Sequence, residues 1–167
     1  WKIEIELRKP IARIFNNSGE SFYLDNLGFP MATSPLYTAR VLVVSGDIDD
    51  RAHSIPVEEI INNDTLKTIR NLDDIYRISN YVCNDSFLNA QIGQVHRESN
   101  GDFVLIPQVG EQIIIFGSAI SNEEVATKFE KLKVFYKEGL PFEGWNKYDV
   151  INLKFKKQVV CKKIKKE

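Results

Sequence analysis

The side chains in this sequence that could do chemistry are two histidines, two cysteines and a scatter of aspartates, and their spacing does not assemble them. His53 and His96 are the only imidazoles. Neither has a second His, Cys or carboxylate at a ligand spacing such as H-x-x-x-H, so each reads as an exposed or packed ring. Cys83 falls on an apolar helical stripe, where a free thiol behaves as a small hydrophobe. Cys161 lies among lysines, whose charge favours thiolate and would lower its pKa, but no base accompanies it. Two cysteines frame neither a disulfide scaffold nor a zinc knuckle. Asp47, Asp49 and Asp50, with Asp73 and Asp74, could hold a divalent cation. The EF-hand spacing with its closing Glu is missing, however, and loop aspartates ordinarily cap turns. No glycine-rich phosphate loop and no G-x-S-x-G elbow is present. The sequence therefore assigns no catalytic residue, no cofactor and no metal site. A hydrolase using Cys161 or His96 has no support from the residues.

Charge is the stronger signal. The chain has 167 residues and a net charge of -1, but residues 154–167 hold seven lysines and one glutamate, which leaves the remainder at -7. Only Phe155 interrupts this basic tail with an aromatic ring, whereas single-strand nucleic-acid binders offer several stacking platforms. An acidic body also repels phosphate, so a nucleic-acid partner is not expected. An anionic membrane surface fits somewhat better. A further reading is an edge strand whose lysines discourage stray pairing, or one that accepts a chosen partner by strand addition; physics alone does not separate these two.

A hydrophobic fraction of 43% with 27% charged residues is that of a folding globular chain. The longest apolar run, Ile113 to Phe116, is far too short to span a bilayer. Residues 2–8 alternate, with Ile3, Ile5 and Leu7 on one side and Lys2, Glu4, Glu6 and Arg8 on the other, which predicts a half-buried strand. This alternation at the first residues suggests a piece of a longer protein. Strands are expected at Phe22–Asp25 and Val41–Val44, with an ordered loop from Asn26 to Ala39 between them. A helical turn begins at Pro56, and an amphipathic helix capped by Asp64 runs through Leu66, Ile69, Leu72, Tyr76, Ser79 and Cys83. Three strands, Ala90–Glu98, Asp102–Pro107 and Glu111–Phe116, form a meander through the Asn100-Gly101 turn. Ser121 and Glu124 make a capping box for a second helix, which Gly139 should stop. Strands at Tyr148–Phe155 and Val159–Ile164, joined at Lys156-Lys157-Gln158, close the chain and put Ile151, Leu153 and Phe155 on the buried face. The expected fold is α+β, a largely antiparallel sheet with two main helices packed on it.

Three stretches carry a resemblance. "IEIELRKPIARIF" followed by "FYLDNLGFPM", with Pro10, Ala12, Arg13, Tyr23, Asp25, Gly28 and Phe29, resembles the end of a POTRA domain in the FtsQ/DivIB family of bacterial cell-division proteins. "GDFVLIPQVGEQIIIFG" and the following "KFEKLKVFYK" resemble that family's central hairpin and the helix after it. "YDVINLKFKKQVV" resembles its closing strand and hairpin return, with Asn152 and Phe155 in place of the usual Asp and Tyr. The resemblance implies that residues 1–15 are the last strand of a POTRA domain and 16–167 an FtsQ-type β domain. It further implies a single-pass inner-membrane protein, anchored by a helix upstream, with this region in the periplasm. The implied role is a non-enzymatic divisome scaffold that binds FtsB- and FtsL-type partners by pairing its last strand with a partner strand. Carried over by position, the contact falls on Asn152, Lys154, Phe155, Lys157, Val159, Val160 and Cys161. POTRA domains also serve secretion and outer-membrane assembly, the alternative that tandem POTRA repeats upstream would indicate.

Overall fold

A computed structural model describes residues 1–4, 6–144 and 147–163. Nine strands form one sheet in the order β3-β2-β1-β4-β5-β6-β7-β8-β9. They are β1 Pro10–Phe15, β2 Ser21–Asp25, β3 Pro30–Ala32, β4 Leu42–Gly46, β5 Ile92–Arg97, β6 Phe103–Pro107, β7 Ile113–Gly117, β8 Tyr148–Asn152 and β9 Val160–Lys163. Helices α1 Val57–Ile61, α2 Asp64–Ile69, α3 Leu72–Asn84 and α4 Ser86–Gln91 link β4 to β5. Helix α5 Asn122–Val134, a π-helical turn Phe135–Gly139 and α6 Leu140–Glu143 link β7 to β8.

The α+β expectation holds, and the largely antiparallel sheet holds in part: most pairs are antiparallel, but the sheet is mixed. The pairs β1·β4, β4·β5 and β7·β8 are parallel and the other five antiparallel. Two parallel pairs follow from the helical crossovers, which carry the chain back to the end of the sheet where the preceding strand began. The two expected helices exist as α3 and α5, accompanied by four shorter ones.

Alternation decides which face is dry. Ala12, Ile14, Leu42, Val44, Val95, Leu105, Ile114 and Ile151 form one cluster with the helical residues Ile75, Ile78, Val82, Phe129 and Leu132. Phe129 stacks on Tyr81 at 5.0 Å and meets Phe116 at 4.9 Å, locking α3, α5 and β7 together. The other face is only partly covered: Val104, Ile115 and Val150 are intermediate, and Ile106 and Ile113 exposed.

Several local expectations fail for identifiable reasons. The described residues of 2–8 form no strand, and Ile3 and Leu7 are 84% and 90% exposed; Ile5 lies outside the described residues. Alternation marks a strand only where a second layer covers it. Pro10–Phe15, in contrast, is bracketed by β2 and β4 within the sheet. The supposed loop 26–39 contains β3. The helix expected from Asp64 breaks at Arg70 and Asn71, because the buried carboxylate of Asp50 takes the Asn71 N–H at 3.2 Å and Arg70 at 3.4 Å. The cap is Asn63, whose side chain accepts from Thr65 and Leu66. Ala90 and Gln91 end α4 rather than begin β5. Gly139 does not stop the helix: Leu140 N donates five residues back to Phe135 O, a widening that accommodates Pro141. The chain turns instead at Gly144, φ +97°.

Candidate functional site

The final hairpin bounds the sheet. Strand β8 pairs with β9 through Tyr148↔Lys163, Val150↔Lys162, Ile151↔Cys161 and Asn152↔Val160, and β9 is the outermost strand, so its far side has no neighbour among the described residues. Ile164, Lys165, Lys166 and Glu167, part of the expected strand and basic tail, lie outside the described residues.

Register divides the expected contact residues between the two faces of the sheet. Cys161, opposite buried Ile151, packs against the core on the helical side. Asn152 and Val160 face each other on the open side, in line with Ile115. Burial raises the Cys161 thiol above its ordinary pKa, the reverse of the depression its lysine neighbours suggested: desolvation acts at contact range, while the ammonium groups stand in water. Cys83 and Cys161 are both free thiols.

Phe155 departs furthest from expectation. Strand β8 ends at Asn152, whose side chain accepts from Lys154 N at 3.0 Å and turns the chain out of the ladder. Leu153 stays buried, but Phe155 sits in a bend and is 46% exposed. Lys154 reaches across to Asp102 at 2.5 Å. Lys157 is exposed and Val159 is packed against the core.

One part of this region was not legible in the sequence. Between α5 and the Leu153–Val159 connection lies a groove of about 820 Å3, lined by Ala126, Val134, Phe135, Gly139, Lys157 and Val159. A second, of about 520 Å3, continues past Ile120, Thr127, Leu153 and Lys156. Lys131 stands between them and lines both, donating to Leu153 O at 2.9 Å and Phe155 O at 2.6 Å. In the sequence Lys131 is one of several lysines on a helix, and nothing in its spacing sets it apart.

The residues weighed first for chemistry do not converge. His53 and His96 are exposed and on different elements; His96 Nδ1 lies 3.4 Å from Ser45 Oγ. Asp47 and Asp49 both accept from Asn17 Nδ2 at 3.0 Å, while Asp73 and Asp74 share Arg77. What the described residues present together is a short open sheet edge, a basic connection and an apolar groove beside it. Among the described residues no helix is long and apolar enough to cross a membrane.

Comparison with curated proteins gives no match. A family model described as FtsQ/DivIB, C-terminal related, matches residues 9–162, nearly the whole chain. The chain belongs to the FtsQ/DivIB family of cell-division proteins.

Proposed function

We propose that this chain is a non-enzymatic scaffold of the divisome that takes a strand of an FtsB-type partner, with FtsL alongside, onto the outer edge of β9. It would be held at the inner membrane by a helix preceding these residues, with this region in the periplasm. The observation that carries the reading is the position of β9: it is the last strand of the sheet, and its outward N–H and C=O groups suit main-chain pairing.

The surroundings support selectivity. In the connection and strand, Lys156, Lys157, Lys162 and Lys163 make no ion pair among the described residues, which favours an acidic partner and speeds its approach. Alternate side chains of an added strand would fall toward the groove at Val134, Phe135 and Val159, or toward the open face beside Val160. Phe155, exposed and next to that edge, is the aromatic anchor.

Calorimetry with a peptide from the partner's strand tests the reading. Phe155→Ala should weaken binding by about 2 kcal/mol or more, and a proline at Val160 should weaken it further by disturbing the ladder. Unchanged affinity in both variants would sink strand addition at this edge.

A further inference from the structure

The link between α5 and the sheet edge runs through one ammonium group. Lys131 leaves the last turn of α5, passes between the two grooves and donates to the carbonyls of Leu153 and Phe155, at the start of the connection that carries β9. Its helix neighbours behave differently. Lys128 is held by Glu124, and Lys133 by Asp85 and Glu130. Lys131 makes no ion pair among the described residues, and backbone oxygens alone hold its charge. Burial, aided by the charge on Lys128, pulls its pKa below the usual lysine value.

Lysine suits this position. Its flexible stem lies along apolar surface while three donors at the tip reach carbonyls that no short side chain on α5 would meet. Strand β9 has four described residues and one neighbour, which places it at the low-stability end of the fold. Leu153 N is fixed to Ile115 O at 2.9 Å on the sheet side, so Lys131 supplies the opposing hold from the helical layer.

We propose that Lys131 is the positioning residue of the β9 edge: by holding residues 153–155 against α5 it keeps the edge strand formed and in place to receive a partner. The functional consequence rests on the docking role given to β9 above; the positional effect is measured without any partner.

Hydrogen exchange on the unliganded protein tests it, comparing the wild type with Lys131→Met, Lys131→Arg and, as a control, Lys137→Met on the exposed side of the π-helical turn. Methionine keeps the stem and its apolar contacts but removes the donors, and arginine returns N–H donors. In Lys131→Met, segments 148–152 and 160–163 should exchange about tenfold faster or more, the change expected on losing charge-assisted hydrogen bonds. The amides of α3 and the thermal midpoint should stay native, Lys131→Arg should recover most of the protection, and Lys137→Met should match the wild type. Edge exchange within twofold of wild type in Lys131→Met would overturn the proposal. So would equal acceleration in α3, which makes Lys131 a general stabiliser, or failure of arginine to rescue. Because no partner is present, a negative result here leaves strand addition standing, and failed peptide binding leaves the Lys131 result standing.

Discussion

Asp74 on α3 offers a test in which charge, burial and pH can be separated. The Arg77 guanidinium serves two carboxylates, donating to Asp74 Oδ1 at 2.6 Å and Asp73 Oδ2 at 2.8 Å, and also to Ala119 O at 3.0 Å. Burial, then the charge on Asp73, drives the Asp74 carboxyl up to about 6; Glu124 on α5 adds to this, while Arg77 and Arg97 on β5 oppose it. A carboxyl raised in the folded state binds its proton more tightly there than in the unfolded chain. Its contribution to stability is therefore greatest at low pH and is lost as pH climbs from about 4 through 6. The full shift corresponds to about 3 kcal/mol. With 24% of the side chain exposed, solvent screening reduces that to about 1–2 kcal/mol. Asp74→Asn keeps an acceptor for Arg77 but never ionises, at the cost of about 1 kcal/mol of charge-assisted bonding. In urea titrations the variant should equal or exceed the wild type at pH 8, by up to about 1 kcal/mol. It should then lose about 1–2 kcal/mol relative to the wild type between pH 7 and pH 4. The difference between the two proteins is the quantity to follow, because Asp50, pushed up mainly by burial, and Asp85, pulled down mainly by the Leu88 N–H, titrate in both. A flat difference across this range, or one running the other way, refutes the reasoning.

Gly46 lies at φ +109° where β4 meets β5, and an added Cβ would fall inside the contact distance of the Arg97 backbone, which cannot yield without parting the strands. Gly46→Ala should cost about 3 kcal/mol or more in chemical denaturation, combining backbone strain with lost hydrogen bonds such as Asp47 N to Arg97 O. Gly117, φ +78°, would bring a Cβ to 2.8 Å from Lys154 Cγ, a side chain able to move; Gly117→Ala should cost only about 1–2 kcal/mol in thermal unfolding. Phe155→Ala should leave unfolding within about 0.5 kcal/mol of wild type, since the ring is half exposed, even though partner binding falls roughly thirtyfold.

What the sequence discloses follows the range of each interaction. The Asn100-Gly101 turn and the Ser121 cap that accepts from Glu124 N at 3.1 Å are set by residues a few positions apart, and both are found where expected; α3 is also helical as expected, but its buried apolar face is Leu72, Ile75, Ile78 and Val82, so of the expected stripe only Leu72 and Ser79 are buried. The order of strands, the parallel pairs and the break at Arg70 depend on partners tens of residues away, Asp50 among them, and leave no local mark. Residues 2–8 fail in the opposite way: their pattern is that of a strand, but the described part meets no layer to cover it. The closing segment combines both cases, since periodicity identified β8 and the buried Ile151 and Leu153 but carried the strand on to Phe155. Asn152 ends it by bonding to Lys154 N, a contact two residues long that a period-two pattern does not register.

That small turn bears on the question the lysines raised, whether the edge refuses partners or selects one. A strand that continued flat through Phe155 would bury the ring against the core and leave the groove beside α5 closed. By leaving the ladder at Asn152, the chain carries Phe155 outward, leads Lys156 and Lys157 past the groove, and returns to β9 with Val159 on the groove wall. Protecting an edge needs only charge, a proline or brevity; it gives no reason to keep an aromatic ring half in water or an apolar trough open alongside. Charge that deters unmatched strands, joined to apolar surface that rewards a matched one, is the combination a selective interface uses. The balance can be measured: replacing Lys156 and Lys157 with glutamate should slow association of an acidic partner peptide and flatten its salt dependence while leaving dissociation nearly unchanged. If dissociation accelerates instead, those lysines are buried contacts rather than steering charges, and the division of labour between charge and groove is wrong.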